Sequence, residues 1–239
     1  HPTIFFGRGF LRRSFAHRLN FPHSAPMEQM LFHLINQEWI HPSLDRMMTV
    51  LSDFAVWKPV LGLVSVIILI AGGPRGRIGI VLAILLVLLN DNAISYPLKR
   101  ITGRARPYES TANVRTLHLN HSEGWVNAIT APPLVKTSPQ PDASHPPRGR
   151  SFPSSHTFNM VALAWFAYRF APRIGRWMLV IPLLMAWSRI YTGSHWPADV
   201  LFPLIAGPLL NEVLLRYLNR LWSRVMPRLA PTVFTKSPT

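Results

Sequence analysis

The segment Ser188-Arg-Ile-Tyr-Thr-Gly-Ser-His195-Trp-Pro-Ala-Asp199 gathers a guanidinium, an imidazole and a carboxylate into one short stretch. An apolar run ends at Ser188 and Arg189, Gly193 falls where the chain must reverse, and Pro197 suits the first turn of a new helix. His195 and Asp199 stand four residues apart, so a helix beginning near His195 sets them one turn apart on one face. A carboxylate that accepts a hydrogen bond from one imidazole nitrogen fixes the tautomer and frees the other nitrogen as nucleophile or base. Arg189 adds a planar fork suited to phosphate or carboxylate oxygens. In isolation the same residues fit an interfacial His and Asp capping a helix equally well.

Two further polar clusters alter that balance: Lys99-Arg-Ile-Thr-Gly-Arg-Ala-Arg106-Pro107 and Phe152-Pro-Ser154-Ser155-His156. If all three meet, Lys99, Arg106 and Arg189 are the cations, and Ser154 and Ser155 are small donors. Pro153-Ser154 ahead of a helix is a capping sequence whose free N–H groups add to a cradle for a dianion. Two histidines then divide the work. His195, oriented by Asp199, attacks phosphorus, while His156 protonates the departing oxygen and later takes a proton from water. Cations and N–H groups stabilise the charge on the equatorial oxygens. Such a site requires no divalent metal and no cofactor, and it lacks the carboxylate cluster that would hold a metal.

The elements that must position these groups read as membrane helices. Residues 54–72 form a first apolar run, and residues 78–98 a second that passes through Asn90, Asp91 and Asn92. An acid at that depth is tolerated when it faces protein, so Asp91 is expected to make a structural hydrogen bond. Residues 158–170, 178–187 and 196–217 supply three more runs. The expected fold is therefore all-α, a polytopic membrane helical bundle of about five transmembrane helices. Ahead of it, residues 27–39 place Met30, Leu31, Leu34, Ile35 and Ile40 at helical spacing, which predicts an amphipathic helix lying on the membrane. A short helix over 43–52 follows. The division is 1–53 for a basic arm and interfacial helices, 54–218 for the catalytic bundle, and 219–239 for a basic tail. Within the bundle, 108–150 is a long external loop, rich in proline and without a sustained period.

Composition agrees with this reading. Hydrophobic residues make up 49% of the chain and charged residues 15%, too few charges for a typical soluble domain. Lys and Arg nonetheless outnumber acids 25 to 10, which favours anionic headgroups or phosphates at the bilayer edges. The absence of cysteine excludes disulfides and thiolate metal sites. His118, His121 and His145 match no strong metal-ligand spacing and read as solvated loop residues. Arg100 and Arg104 read as interfacial anchors, and Trp165, Trp177, Trp187 and Trp196 as interface belt or packing.

Charge also sets an orientation. Arg75, Arg77, Arg173, Arg176 and the tail fall on one side of the bundle, and the positive-inside rule puts that side in the cytoplasm. The three polar clusters then face outward. The basic arm goes against this count, and it either rests on anionic headgroups or implies a preceding span. Residues 2–21 show no continuous apolar core of a signal peptide.

Lys99 with Arg106-Pro107, then Pro-Ser-x-His, then Ser-Arg-x5-His-x3-Asp, together resemble the three signature motifs of the type 2 phosphatidic acid phosphatase superfamily, over about residues 50–218. The resemblance implies that Lys99, Arg106, Ser154 and Arg189 bind phosphate, His156 is the acid, His195 the nucleophile and Asp199 its partner. The family usually has Gly where this chain has Ser155, and its commoner members have six spans. The implied activity is a metal-independent phosphatase in a bacterial inner membrane, with its site facing the periplasm. It would act on a membrane phospholipid or on a polyprenyl or lipid A phosphate: undecaprenyl pyrophosphate, phosphatidylglycerol phosphate, phosphatidic acid or the lipid A 1-phosphate. Alternatives are a lipid phosphotransferase working through the same intermediate, a soluble vanadate-dependent haloperoxidase, and a non-enzymatic protein that binds anionic lipid. No nucleic-acid partner is expected, and the residues do not define an oligomeric state.

Overall fold

The computed structural model describes residues 25–141 and 147–225. The basic arm before residue 25, the tail beyond 225 and His145 lie outside them. The chain opens with α1 (Pro26–His33), which widens into a π turn (Leu34–Glu38), followed by α2 (Pro42–Ser52). Then come α3 (Phe54–Ala71) and α4 (Gly73–Leu89), a second π segment (Asn90–Ser95) and α5 (Tyr96–Thr102). The external segment holds α6 (Pro107–Ser110), β1 (Arg115–His118), α7 (Trp125–Thr130) and β2 (Leu134–Thr137). Four helices complete the fold: α8 (Ser155–Phe170), α9 (Pro172–Met178), α10 (Ile181–Tyr191) and α11 (Pro197–Val225).

The architecture is an all-α membrane bundle with one small antiparallel hairpin, in which Arg115 pairs with Thr137 and His118 with Leu134. Among the described residues, three helical runs, Phe54–Ala71, Gly73–Ser110 and Pro197–Val225, are long and apolar enough to cross a bilayer. The other expected runs became α8, with 16 residues, and α10, with 11, both short of the ~20 residues that span a bilayer unaided. The run expected over 178–187 is broken after Met178, and Pro182 enters the first turn of α10, where its missing N–H leaves nothing unpaired. Almost all of α3 is exposed, as a lipid-facing helix would be, whereas α8 is buried along much of its length between α4, α10 and α11.

Two of the hydrophobic cores among the described residues hold the long helices together. Toward the turn end, Leu82 and Leu86 of α4 pack with Ala162 and Phe166 of α8 and with Leu215 and Leu218 of α11. Gly207 lets α8 and α11 approach closely, since a Cβ there would sit 2.8 Å from Val161 Cγ1. Toward the other end, Phe32, Ile35, Met48, Leu117, Tyr191 and Trp196 form a core that joins the N-terminal helices and the hairpin to α10 and α11. Of the expected apolar stripe over residues 27–39, only Ile35 is fully buried in this core. Met30 and Leu31 remain 73% and 41% exposed, while Phe32, Ile35 and Asn36 are buried against protein. Asn36 shows why: its Nδ2 donates to the carbonyls of Arg115 (2.9 Å) and Tyr191 (2.8 Å), and its Oδ1 accepts from Arg115 N (3.1 Å). A buried amide with three satisfied partners fixes the face of the helix more tightly than a periodic stripe does.

Candidate active site

Backbone and side-chain contacts join the three polar clusters in pairs. Lys99 Nζ donates to the carbonyls of Pro153 (2.7 Å) and Arg150 (3.2 Å), tying the first cluster to the second. Ser154 N donates to the Asp199 carbonyl (2.9 Å), tying the second to the third. Trp196 Nε1 donates to the Ala105 carbonyl (3.1 Å), tying the third to the first. Arg189, His195, Lys99 and Arg106 all lie within electrostatic reach of His156. Far away along the bundle, Arg75 donates to the Phe170 carbonyl (3.3 Å) and packs over the Phe170 ring, so the arginine-bearing turns share the opposite end.

Local structure explains the placement. Ser154 is the N-cap of α8 and is buried, with its Oγ accepting from Thr157 N (3.4 Å) and Thr157 Oγ1 (3.1 Å). Its hydroxyl is thus engaged as a cap, and Ser155 and His156 follow in the first turn. Gly103 ends α5 in the left-handed region (φ 56°) and turns the chain so that Arg104 and Arg106 run back over the bundle. Gly193 adopts φ 71° beneath β1, and a Cβ there would collide with the Arg115 carbonyl.

Arg106, His156 and Arg189 line a cleft of about 250 Å³ together with Thr49, Ser52, Asp53, Tyr108 and Ser194. Arg189 is almost wholly buried, and its Nη1 donates to Ser52 Oγ (2.6 Å), while its Nε has no protein partner. A buried guanidinium edge without a partner favours an anion from the cleft. Lys99, Ser154, Ser155, His195 and Asp199 do not line this cleft; His195, 1% exposed, lies next to the cleft residue Ser194. Burial holds the His195 imidazole down to about 3, with Asp199 opposing and Arg189 reinforcing the effect. The Nδ1 of His195 stands 3.4 Å from Asp199 Oδ2 without a well-formed hydrogen bond, as an expected pair that has not closed.

The structure also supplies residues that sequence reasoning missed. Asp199 Oδ2 accepts from Ser151 Oγ and from Trp196 N (2.9 Å), and its Oδ1 accepts from Arg104 Nη1 (2.8 Å). Arg104 is therefore no interfacial anchor. Its other Nη meets Glu28 Oε2 at 2.6 Å, and its side chain is only 10% exposed. The breakers Gly103 and Pro107 on either side of Arg104 signalled a fixed turn, but no local pattern marks Ser151 or Glu28. His121 is not merely solvated either, since its Nε2 lies 2.7 Å from Asp53 Oδ2. Asp91 accepts from Asn159 Nδ2 (3.0 Å), a structural bond of the expected kind. Among the described residues, no group of three or more His, Cys, Asp or Glu comes together as a metal site requires.

An all-α membrane bundle with cationic, imidazole and hydroxyl groups crowded at one end is the class of protein that this fold and site define. The profile of the PAP2 superfamily matches residues 80–223, more than half of the chain, and the chain belongs to that family. It is 40% identical over 62 residues to YbjG of Escherichia coli (strain K12), provisionally named an undecaprenyl-diphosphatase, a match covering 24% of this chain and 29% of that protein. It is 40% identical over 68 residues to the undecaprenyl-diphosphatase BcrC of Bacillus subtilis (strain 168), covering 28% of this chain and 35% of that protein. The chain thus matches about a third of the length of these relatives. Its fold is similar to the crystal structure of Aquifex aeolicus LpxE, with a TM-score of 0.57 and 21% identity over 81% of this chain and 98% of that one.

Proposed function

We propose that the protein is a lipid phosphatase that removes a terminal phosphate through a phosphohistidine intermediate. The observation that carries this reading is the pairwise joining of the Lys99–Arg106, Ser154–His156 and Arg189–Asp199 clusters at one end of a membrane bundle. Lys99, Arg106 and Arg189 neutralise the phosphoryl oxygens, helped by the capped start of α8. His195 presents Nδ1 to Asp199, which leaves Nε2 to attack phosphorus. The P–O bond to the leaving group breaks, and that oxygen takes the proton of His156. Water then attacks the phosphohistidine, His156 accepts its proton, and inorganic phosphate leaves while the His195 imidazole is restored.

Undecaprenyl diphosphate heads the candidate substrates because both curated relatives carry that name, ahead of phosphatidylglycerol phosphate, phosphatidic acid and the lipid A 1-phosphate. The site works at the outer face of a bacterial inner membrane on this reading. The experiment is phosphate release from this panel in detergent micelles, with chelator present and no acceptor lipid. The expected result is release from at least one lipid, blocked by vanadate and reduced ~10³-fold in His195→Ala. Full activity in His195→Ala overturns the mechanism, and phosphate release only with an acceptor lipid makes the protein a phosphotransferase.

A further inference from the structure

Asp199 is fully buried and draws a donor from each of three directions, yet one of them leads out of the bundle. The Arg104 guanidinium bridges two carboxylates, Asp199 Oδ1 at 2.8 Å and Glu28 Oε2 at 2.6 Å. Glu28 lies in the first turn of α1, and its second oxygen accepts from Ala198 N at 2.9 Å, immediately before Asp199. The same helix places Phe32 against Trp196, with ring centroids 5.0 Å apart, and Trp196 N in turn donates to Asp199. The N-terminal helix therefore grips both the side chain that faces His195 and the backbone that carries it.

We propose that Glu28 and Arg104 are positioning residues, through which docking of α1 sets Asp199 and thereby the nucleophile His195. The inference rests on the functional reading above. Its physical basis is geometric and electrostatic. A carboxylate held by one fork can pivot, whereas one whose fork is itself clamped by a second carboxylate cannot. Two carboxylates sharing one guanidinium also leave one net negative charge facing His195. That charge opposes the positive charge that grows on the ring as Nε2 bonds to phosphorus. With Glu28 neutral, Arg104 cancels Asp199 and the ring loses this support. Neither residue lines the cleft, and both Arg104 Nη groups are engaged by carboxylates, so anion binding itself should stay intact.

The test compares Glu28→Gln, Glu28→Asp and Arg104→Lys with wild type and His195→Ala, in the full chain, using the lipid phosphate that wild type hydrolyses best. Measured are kcat, KM, the single-turnover rate of phosphoenzyme formation, the inhibition constant of inorganic phosphate, and the melting temperature. The expected result is a fall of about tenfold in kcat and in phosphoenzyme formation for Glu28→Gln, with KM and phosphate inhibition within about twofold. Glu28→Asp keeps the charge and should recover part of the rate. Glu28→Gln at the wild-type rate, beside an inactive His195→Ala, overturns the inference alone. A fall in which phosphate inhibition weakens in proportion, with a lowered melting temperature, also overturns it, because that marks a merely structural role. A fully active His195→Ala overturns the functional reading, and this inference with it.

Discussion

Asp199 is held by Ser151, Trp196 and Arg104, so its carboxylate is oriented without help from the imidazole. Because burial lowers the His195 imidazole to about 3, the proposed nucleophile stays unprotonated above that value and is lost only as pH falls through it. The acid limb of kcat/KM should therefore follow the substrate, whose second phosphate ionisation lies near ~6, and not a histidine. Two lipid phosphates of different second ionisation should give acid limbs that differ accordingly; one common limb for both would contradict the assignment. His156 makes a complementary case, since on the proposed mechanism it serves the leaving group. Burial and the neighbouring cations hold its imidazole down to about 3, so the substrate dianion must raise it before it can donate. Its replacement by Ala should reduce hydrolysis of an alkyl phosphate by about 10³-fold but affect a p-nitrophenyl ester far less, because that leaving group needs no proton. Equal losses on both esters would remove His156 from the acid's role.

Between α4 and α5 the helix widens over Asn90–Ser95, where Asn90 is fully buried and donates to Asn211 Oδ1 of α11 at 2.7 Å. Asn211 returns its own amide to the Gly207 carbonyl (2.8 Å), so the two side chains pin α11 to the wide turn. Such turns shift the phase of a helix, and this one stands just before the helix that carries Lys99. Asn90→Leu leaves the Asn211 oxygen without its donor in a low-dielectric interior. It should lower stability by about 1–2 kcal/mol, read as a lower melting temperature in detergent, and weaken phosphate release through Lys99. The double variant Asn90→Leu/Asn211→Leu should regain much of the stability, because neither position then buries an unpaired amide. A single variant as stable as wild type would show that the pair does not hold the bundle.

At the scale of the molecule, the helices alternate between two ends. The polar clusters meet at one, and Arg75 beside Phe170 marks the other. The positive-inside rule assigns the arginine end to the cytoplasm, which would turn the cleft outward. Since the sequence contains no cysteine, single-cysteine variants report this directly. Val126→Cys in α7 and Ile174→Cys in α9 occupy exposed positions near opposite ends. In intact cells a membrane-impermeant maleimide should label Val126→Cys and leave Ile174→Cys unlabelled until the membrane is opened. The reverse pattern would place the cleft in the cytoplasm and exclude an outer-face substrate.

Much of the proposed site was legible along the chain because its groups come in short, spaced motifs and the long helices announce themselves by hydropathy. Ser154 and His156 share the start of α8, and His195 stands one turn from Asp199 at the start of α11, whereas the Gly103 turn parts Lys99 from Arg106 and the Gly193 turn parts Arg189 from His195. The hairpin within 108–150 and the break before α10 were less readable, since short strands and prolines give weak periodic signals. No local pattern marks Glu28 or Ser151, and the breakers around Arg104 signal a turn without its partners. Arg104 meets Glu28 across 76 positions and Asp199 across 95, and only folding brings such groups within reach. The sequence by itself determined which chemistry is available and that it sits among membrane helices. Tertiary structure decided which residues hold Asp199, because a buried carboxylate must find its donors wherever the packed chain happens to offer them.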